Sequence, residues 1–258
     1  MDSYGFIDVV AMTHQGAKRS RNEDTILVGG WLRSMPMDVP QKFRLALDGP
    51  ILCVVADGMG GHAAGHEASR IACQFFAAEA SSMTSELAVA AAVIAAGDQV
   101  MKAALSDAEF RGMGTTVAGL VMQPDGVFWF NVGDSGVFRH RNGFLRQISS
   151  DDIPLGEVAG RRSNRITQCL GGSDDDIAVA PHTGSEKLEY TLRYLICSDG
   201  LTDMLTMGEI EAELDCDDPV ESVSKLHAAA MNAGGVDNIS VILVSWAKET
   251  LESVYEFE

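Results

Sequence analysis

Apolar residues along this chain follow two periodicities. Within 63–82, Ala64, Ala68, Ile71, Ala72, Phe75 and Phe76 recur every three or four positions, as do Leu87, Ala91, Ile94, Met101 and Leu105 within 85–105, which predicts two long amphipathic helices. Thr206-Met207-Gly208-Glu209 has the capping-box pattern ahead of Ile210, and Pro219 and Gly234-Gly235 bracket a further helix with Val220, Val223, Leu226 and Met231 on its apolar face. Strand-like runs rich in Val, Ile and aromatics occupy 6–12, 24–28, 51–56, 116–122, 127–132, 136–140, 191–197 and 239–246. Turn signals at Pro124-Asp125-Gly126 and Arg141-Asn142-Gly143 predict an antiparallel meander over 116–147. Residues 29–50, with Pro36, Pro40 and Gly49, read as an extended excursion between strands. Helices clustered between runs of strands indicate an α+β fold.

Composition narrows the class. With 258 residues, 46% of them apolar, the chain has ample material for a core. No Pro/Ser/Gly-rich linker divides it, so one domain is expected over 1–247, followed by an acidic tail at 248–258. Nineteen Lys plus Arg against 37 Asp plus Glu give a formal charge of -18, which argues against nucleic acid and anionic lipid as partners. The first residues lack a basic start and an apolar h-region, and no run of about 18 apolar residues is found, so no membrane association is expected. The five cysteines, at 53, 73, 169, 197 and 216, are widely spaced and form no C-x-x-C pair. Reduced core thiols in the cytoplasm are the expectation.

The candidate chemistry lies in five acidic clusters. Three end an apolar run: Val54-Val55-Ala56-Asp57-Gly58, Phe130-Asn131-Val132-Gly133-Asp134 and Leu195-Ile196-Cys197-Ser198-Asp199-Gly200. The other two lead into one: Arg19-Ser20-Arg21-Asn22-Glu23-Asp24 ahead of Thr25, and Asp237-Asn238 ahead of Ile239. A stiff strand fixes the carboxylate at its end, and an oxygen-only donor set suits the hard ions Mg²⁺ or Mn²⁺. Metal-assisted chemistry on phosphate is the indicated class. A phosphorylated substrate is itself an anion, so bound cations and a placed arginine must reverse the field of this acidic chain locally.

Seven pieces then stand in order: 19–24, Asp57-Gly58-Met59-Gly60-Gly61-His62, Gly112-Met113-Gly114-Thr115-Thr116, Val132-Gly133-Asp134-Ser135, Ile166-Thr167-Gln168-Cys169-Leu170-Gly171-Gly172, Cys197 to Asp203, and Asp237-Asn238-Ile239-Ser240. In these the chain resembles the metal-dependent protein phosphatases, the type 2C serine/threonine enzymes, in their bacterial form, from Gly5 to Trp246. The resemblance implies a four-layer α/β/β/α sandwich of two packed antiparallel sheets flanked by helices. It implies hydrolysis of phosphate monoesters on phosphoserine and phosphothreonine proteins, by a water or hydroxide bridging two Mn²⁺ or Mg²⁺ ions. A serine/threonine kinase is the implied signalling partner. Asp57 would bridge the ions, the Gly58 carbonyl would join it, and Asp199 and Asp237 would complete the first metal's shell. Glu23 and Asp24 would hold metal-bound waters or one metal at the outer edge, Asp134 a third, weaker ion, and Arg19 the phosphate, making Arg19 and Asp57 the catalytic pair.

Other residues carry less. Lys18 and Arg21 read as a solvated basic edge, and Asn238 as a turn-stabilising residue. Family members with a histidine directly after Asp-Gly use it as a candidate acid; Met59 stands there in this chain. His62 is left between a proton donor and a structural hydrogen bond at a helix start. Gly112 to Thr116 lacks the Lys of a phosphate loop and reads as tight sheet packing. No cysteine has Arg six positions on, which leaves a cysteine-nucleophile phosphatase unsupported. The alternative of another class is a catalytically weak pseudophosphatase that binds phosphoproteins. The 149–165 segment is short for a bacterial flap, and its Arg161, Arg162 and Arg165 read either as a substrate-docking edge or as a solvated loop.

Overall fold

The computed structural model describes residues 5–60, 64–154, 165–172, 178–187 and 192–247. His62, Arg161, Arg162 and the 248–258 tail lie outside the described residues. From the N-terminus the chain forms β1 (Gly5–His14), β2 (Thr25–Val28), β3 (Trp31–Arg33), β4 (Gln41–Leu47), β5 (Ile51–Ala56), β6 (Gly58–Met59), α1 (Ala64–Glu79), α2 (Glu86–Ser106), β7 (Gly114–Thr115), β8 (Val117–Gln123) and β9 (Gly126–Val132). There follow β10 (Gly136–Arg141), β11 (Phe144–Gln147), β12 (Leu170–Gly171), β13 (His182–Glu186), β14 (Arg193–Cys197), α3 (Asp199–Thr202), α4 (Met207–Leu214), α5 (Pro219–Asn232) and β15 (Ile239–Ala247).

Two six-stranded antiparallel sheets, ordered β11-β10-β14-β15-β1-β4 and β13-β9-β8-β5-β2-β3, face each other. Helices α4 and α5 pack outside the first, and α1 and α2 outside the second. This is the expected α/β/β/α sandwich. The central strands are apolar on both faces because both are covered: in β5, Cys53 and Val55 enter the core between the sheets, while Leu52, Val54 and Ala56 enter the core under α1 and α2. A one-residue slip would exchange the two sets, so the register of the strand that delivers Asp57 is firmly fixed.

The helix ends follow their sequence signals. Thr206 accepts from the Glu209 N–H while the Glu209 carboxylate accepts from Thr206, closing the capping box of α4, and Pro219 opens α5. The face of α2, however, differs from expectation. Its buried side is Val89, Ala92, Val93, Ala96, Gly97, Val100 and Ala104, whereas Leu87, Ile94 and Leu105 are 85%, 43% and 67% exposed. Small residues let the helix approach the sheet and α1 closely, and the larger apolar ones remain outside. By length and composition α2 would also suffice to cross a membrane, although charged and polar residues interrupt its apolar sequence; here its small-residue face lies in the core.

The meander over 116–147 is also revised. Strands β8 and β9 pair around Pro124-Asp125, and β10 and β11 pair around Asn142-Gly143, both of which have positive φ. Yet β9 belongs to the second sheet and β10 to the first, so the chain changes sheets at Gly133-Asp134-Ser135. Gly133, at φ 97°, supplies the conformation that this crossing needs. The excursion at 29–50 contains β3 and β4, which pair with β2 and β1 at opposite sheets' edges. A small third sheet, β12-β7-β6, gathers the 112–116 and 170–172 pieces beside Gly58, in keeping with a packing role.

One contact locks α1 to the sheet. Phe130 lies across Gly119, its strand partner, so closely that a Cβ there would sit 2.4 Å from the ring, and the same ring packs on Phe76 at a centroid distance of 5.4 Å. Gly119→Ala is therefore expected to destabilise the fold by ~1–3 kcal/mol through overpacking, and Phe76→Ala by ~3–5 kcal/mol through the cavity it leaves. Urea unfolding measures both; a neutral Gly119→Ala would contradict this packing.

Candidate metal centre

Five segments deliver side chains to one end of the sandwich. Asp57 follows β5, and its carbonyl accepts hydrogen bonds from the Thr116 N–H and the Thr115 hydroxyl, each at 2.9 Å. Gly58 is required by close approach rather than by access to its carbonyl alone: a Cβ would lie 2.1 Å from the Gly65 carbonyl oxygen and 2.6 Å from that of Glu23. Asp199 opens α3 directly after β14, where a Cβ on Gly200 would fall 1.9 Å from the Asn238 carbonyl oxygen. That approach brings Asp199 beside the turn carrying Asp237. Asp134 sits on the crossing turn, whose Gly133 N–H donates to Asp152 Oδ2 at 2.8 Å, with His182 Nε2 2.8 Å from the other oxygen of Asp152.

Asn238 ties the N-terminal cluster to this frame. Its Nδ2 donates to the Gln15 and Arg21 carbonyls at 3.0 and 2.9 Å, and its Oδ1 accepts the Glu23 N–H at 2.8 Å. It has a structural role, as expected. Asp24 is fully buried, and its Oδ2 accepts from the hydroxyls of Ser198 and Ser240 at 3.0 and 2.6 Å. Ser240 in turn meets Thr13 at 2.8 Å, and Asn22 Nδ2 donates to Thr13 at 2.8 Å.

Arg19, Glu23, Asp57, Gly58, Asp134, Asp199 and Asp237 line one cleft of about 600 Å³. Arg21, expected to be a solvated edge, lines it too, with Thr116 and Ile166. Arg19 Nη2 donates to Asp237 Oδ2 at 2.6 Å, and this bond raises the arginine's pKa further. The serines under Asp24 escaped sequence reasoning; the one signal was a hydroxyl residue interrupting an apolar strand at Ile239-Ser240-Val241.

The electrostatics are those of crowded like charges. Asp57 is crowded by the carboxyl groups of Asp24 and Asp199, whose charges both act on it, a crowding that ionised carboxylates bear only with a proton or a cation among them. Burial, followed by the charges of Asp24, Asp199, Asp237 and Asp134, pushes Asp57 well above the usual carboxylate range. Burial also lifts Asp24 to about 6, against the help of its two serine donors, and Asp199 to about 8, reinforced by Asp134, Asp203 and Asp237. Glu23 is raised by burial as well.

Glu23 Oε1, Asp24 Oδ1 and Asp199 Oδ1 are buried without a hydrogen-bond partner. Unpartnered buried carboxylate oxygens are costly, and hard oxygen donors of this kind fit Mg²⁺ or Mn²⁺. The fit is one of donor chemistry and not of a finished cage: among the described residues no three acidic, His or Cys side chains are grouped to enclose an ion as they stand, and Asp237 is turned to Arg19.

Comparison with known proteins agrees with this chemistry. Protein phosphatase PhpP of Streptococcus pneumoniae is 28% identical over 264 residues, covering 95% of this chain and all of that protein. Serine/threonine protein phosphatase PstP of Mycobacterium tuberculosis is 30% identical over 90% of this chain and 44% of its own length. A crystal structure of the PstP catalytic domain in complex with two manganese ions superposes with a TM-score of 0.78, at 26% identity, over 94% of this chain and 99% of that one. With the protein phosphatase 2C model matching residues 42–230, most of the length that builds both sheets, this chain belongs to the protein phosphatase 2C family.

Proposed function

We propose that this serine/threonine phosphatase hydrolyses phosphate monoesters on phosphoserine and phosphothreonine proteins, with two divalent cations held by Asp57, the Gly58 carbonyl, Asp199 and Asp237. The observation that carries this reading is the convergence of Asp57, Asp134, Asp199 and Asp237 on one cleft, beside buried carboxylate oxygens that have no partner. When bound, the ions supply charge neutralisation and an activated water for in-line attack on phosphorus. The chain's own residues supply the rest. Asp57, fixed by β5 and by its carbonyl's two hydrogen bonds, holds the negative charge that the cations need. Glu23 and the deeper Asp24 accept hydrogen bonds from coordinated waters or take one ion directly. Asp134, whose charge acts on both Asp57 and Asp199, is proposed to hold a third, weaker ion.

Arg19 is proposed to bind the phosphate. Its planar fork bonds Asp237 through one arm and has further N–H groups to offer two phosphate oxygens. Arg21, on the same cleft, adds a second positive charge that assists an anionic substrate in a chain of net charge -18. A protein kinase whose phosphorylation is reversed here is the proposed partner. The five cysteines form no disulfide, which is consistent with a reducing, cytoplasmic setting.

Hydrolysis of p-nitrophenyl phosphate is expected to require added Mn²⁺ or Mg²⁺ and to stop with a chelator, and Asp57→Asn is expected to lose at least ~10³ in kcat. Undiminished turnover in metal-free buffer would sink this mechanism. Arg19→Ala is expected mainly to raise KM, as loss of a grip made equally in ground and transition states does; steady-state kinetics with KM unchanged would remove the phosphate role.

The raised carboxyls also fix a pH dependence. Unfolded Asp ionises near pH 4, whereas native Asp24 and Asp199 keep their protons until about 6 and about 8. The native state therefore binds more protons in that window, so the stability of the cation-free protein falls as pH rises from ~4 to ~8. Cations that displace these protons should flatten the fall. Melting curves with chelator and with Mn²⁺ test this; a cation-free Tm that rises across the window would contradict it.

A further inference from the structure

A second concavity, of about 520 Å³, opens beside the cleft. Ile94 and Met101, one heptad apart on α2, line it together with Val179, Met59 and Ile166. Met59 and Ile166 also line the carboxylate cleft, so the two spaces adjoin. The groove exists because α2 is apolar on more than one face: its small residues are spent on the core, and Ile94, at 43% exposure, is left facing outward. A helix apolar on this scale leaves surface that calls for a cover.

We infer that this groove is a subsite of the same substrate, taking an apolar side chain that flanks the phosphoresidue whose phosphate enters the cleft. The inference rests on the phosphatase reading above. The shared border at Met59 and Ile166 selects this occupant, since one extended peptide can reach across both spaces. Asp98, exposed on the groove wall between Ile94 and Met101, together with the net charge of -18, disfavours an acidic flank and suits a peptide that is apolar and basic around its phosphoresidue.

The test is a set of phosphopeptides with a single Leu moved through about four positions on either side of the phosphothreonine, each compared with its Ser counterpart. At one or two positions Leu is expected to raise kcat/KM about tenfold, the discrimination that one apolar side chain in a fitted pocket supplies. Ile94→Glu, at an exposed site, and independently Met101→Gln, should erase that preference and leave hydrolysis of p-nitrophenyl phosphate unchanged. A wild-type enzyme indifferent to Leu at every position, or a preference that survives both substitutions, would overturn the subsite while leaving the phosphatase reading intact. If Ile94→Glu instead converts a dimer to a monomer in sedimentation and spares the peptide preference, the groove is a contact between copies and the proposal fails. Absence of turnover on every peptide and on the small ester would overturn the phosphatase reading and this proposal with it.

Discussion

Mutual repulsion among buried carboxylates is the constraint on which this structure turns. The charges of Asp24 and Asp199 bear on Asp57, and Asp237 and Asp134 add further negative charge. In a low-dielectric setting such a group expels its own charge by holding protons or by taking cations. Either outcome requires a scaffold stiff enough to resist the repulsion. The two sheets meet that need because their central strands are buried on both faces, so that neither sliding nor rotation of the strand ends is cheap.

Local devices transmit that stiffness to the carboxylates. Glycines 58 and 200 admit backbone approaches at which any Cβ would collide, bringing the α1 region, the Glu23 turn and the Asp237 turn against the strand ends. Asn238 joins three segments with one side chain. The hydroxyls of Ser198 and Ser240 lower the cost of ionising Asp24, yet burial outweighs them. The same acidity makes an anionic substrate unwelcome unless the field is reversed locally, and Arg19 and Arg21 stand on the cleft where that reversal is needed.

Much of this was legible in the sequence because the carboxylates stand where apolar runs stop, and a strand's end is a fixed point. The helices were legible from caps and spacing. What escaped did so for identifiable reasons. Strand β13, His-Thr-Gly-Ser-Glu, is an edge with no aliphatic residue to announce it, and β4 lay between prolines that suggested a loop. Asn142-Gly143 revealed its hairpin, but nothing local in Gly133-Asp134-Ser135 says that the chain changes sheets. On α2 the sequence is apolar on several faces, and the larger residues were assigned to the core that the smaller ones occupy. Arg21 is exposed as expected and lines the cleft as well, whereas the full burial of Asp24 was not legible because neighbouring residues on one loop share the same polar pattern.

The central claim is that this carboxylate cluster is a cation site whose charge is organised by Asp57. Equilibrium dialysis against Mn²⁺, with bound metal counted by atomic absorption, measures it without reference to catalysis. The account predicts about two ions per wild-type chain and the loss of at least one in Asp57→Asn. A wild-type protein that retains no manganese, or a variant that retains the wild-type count, would contradict it.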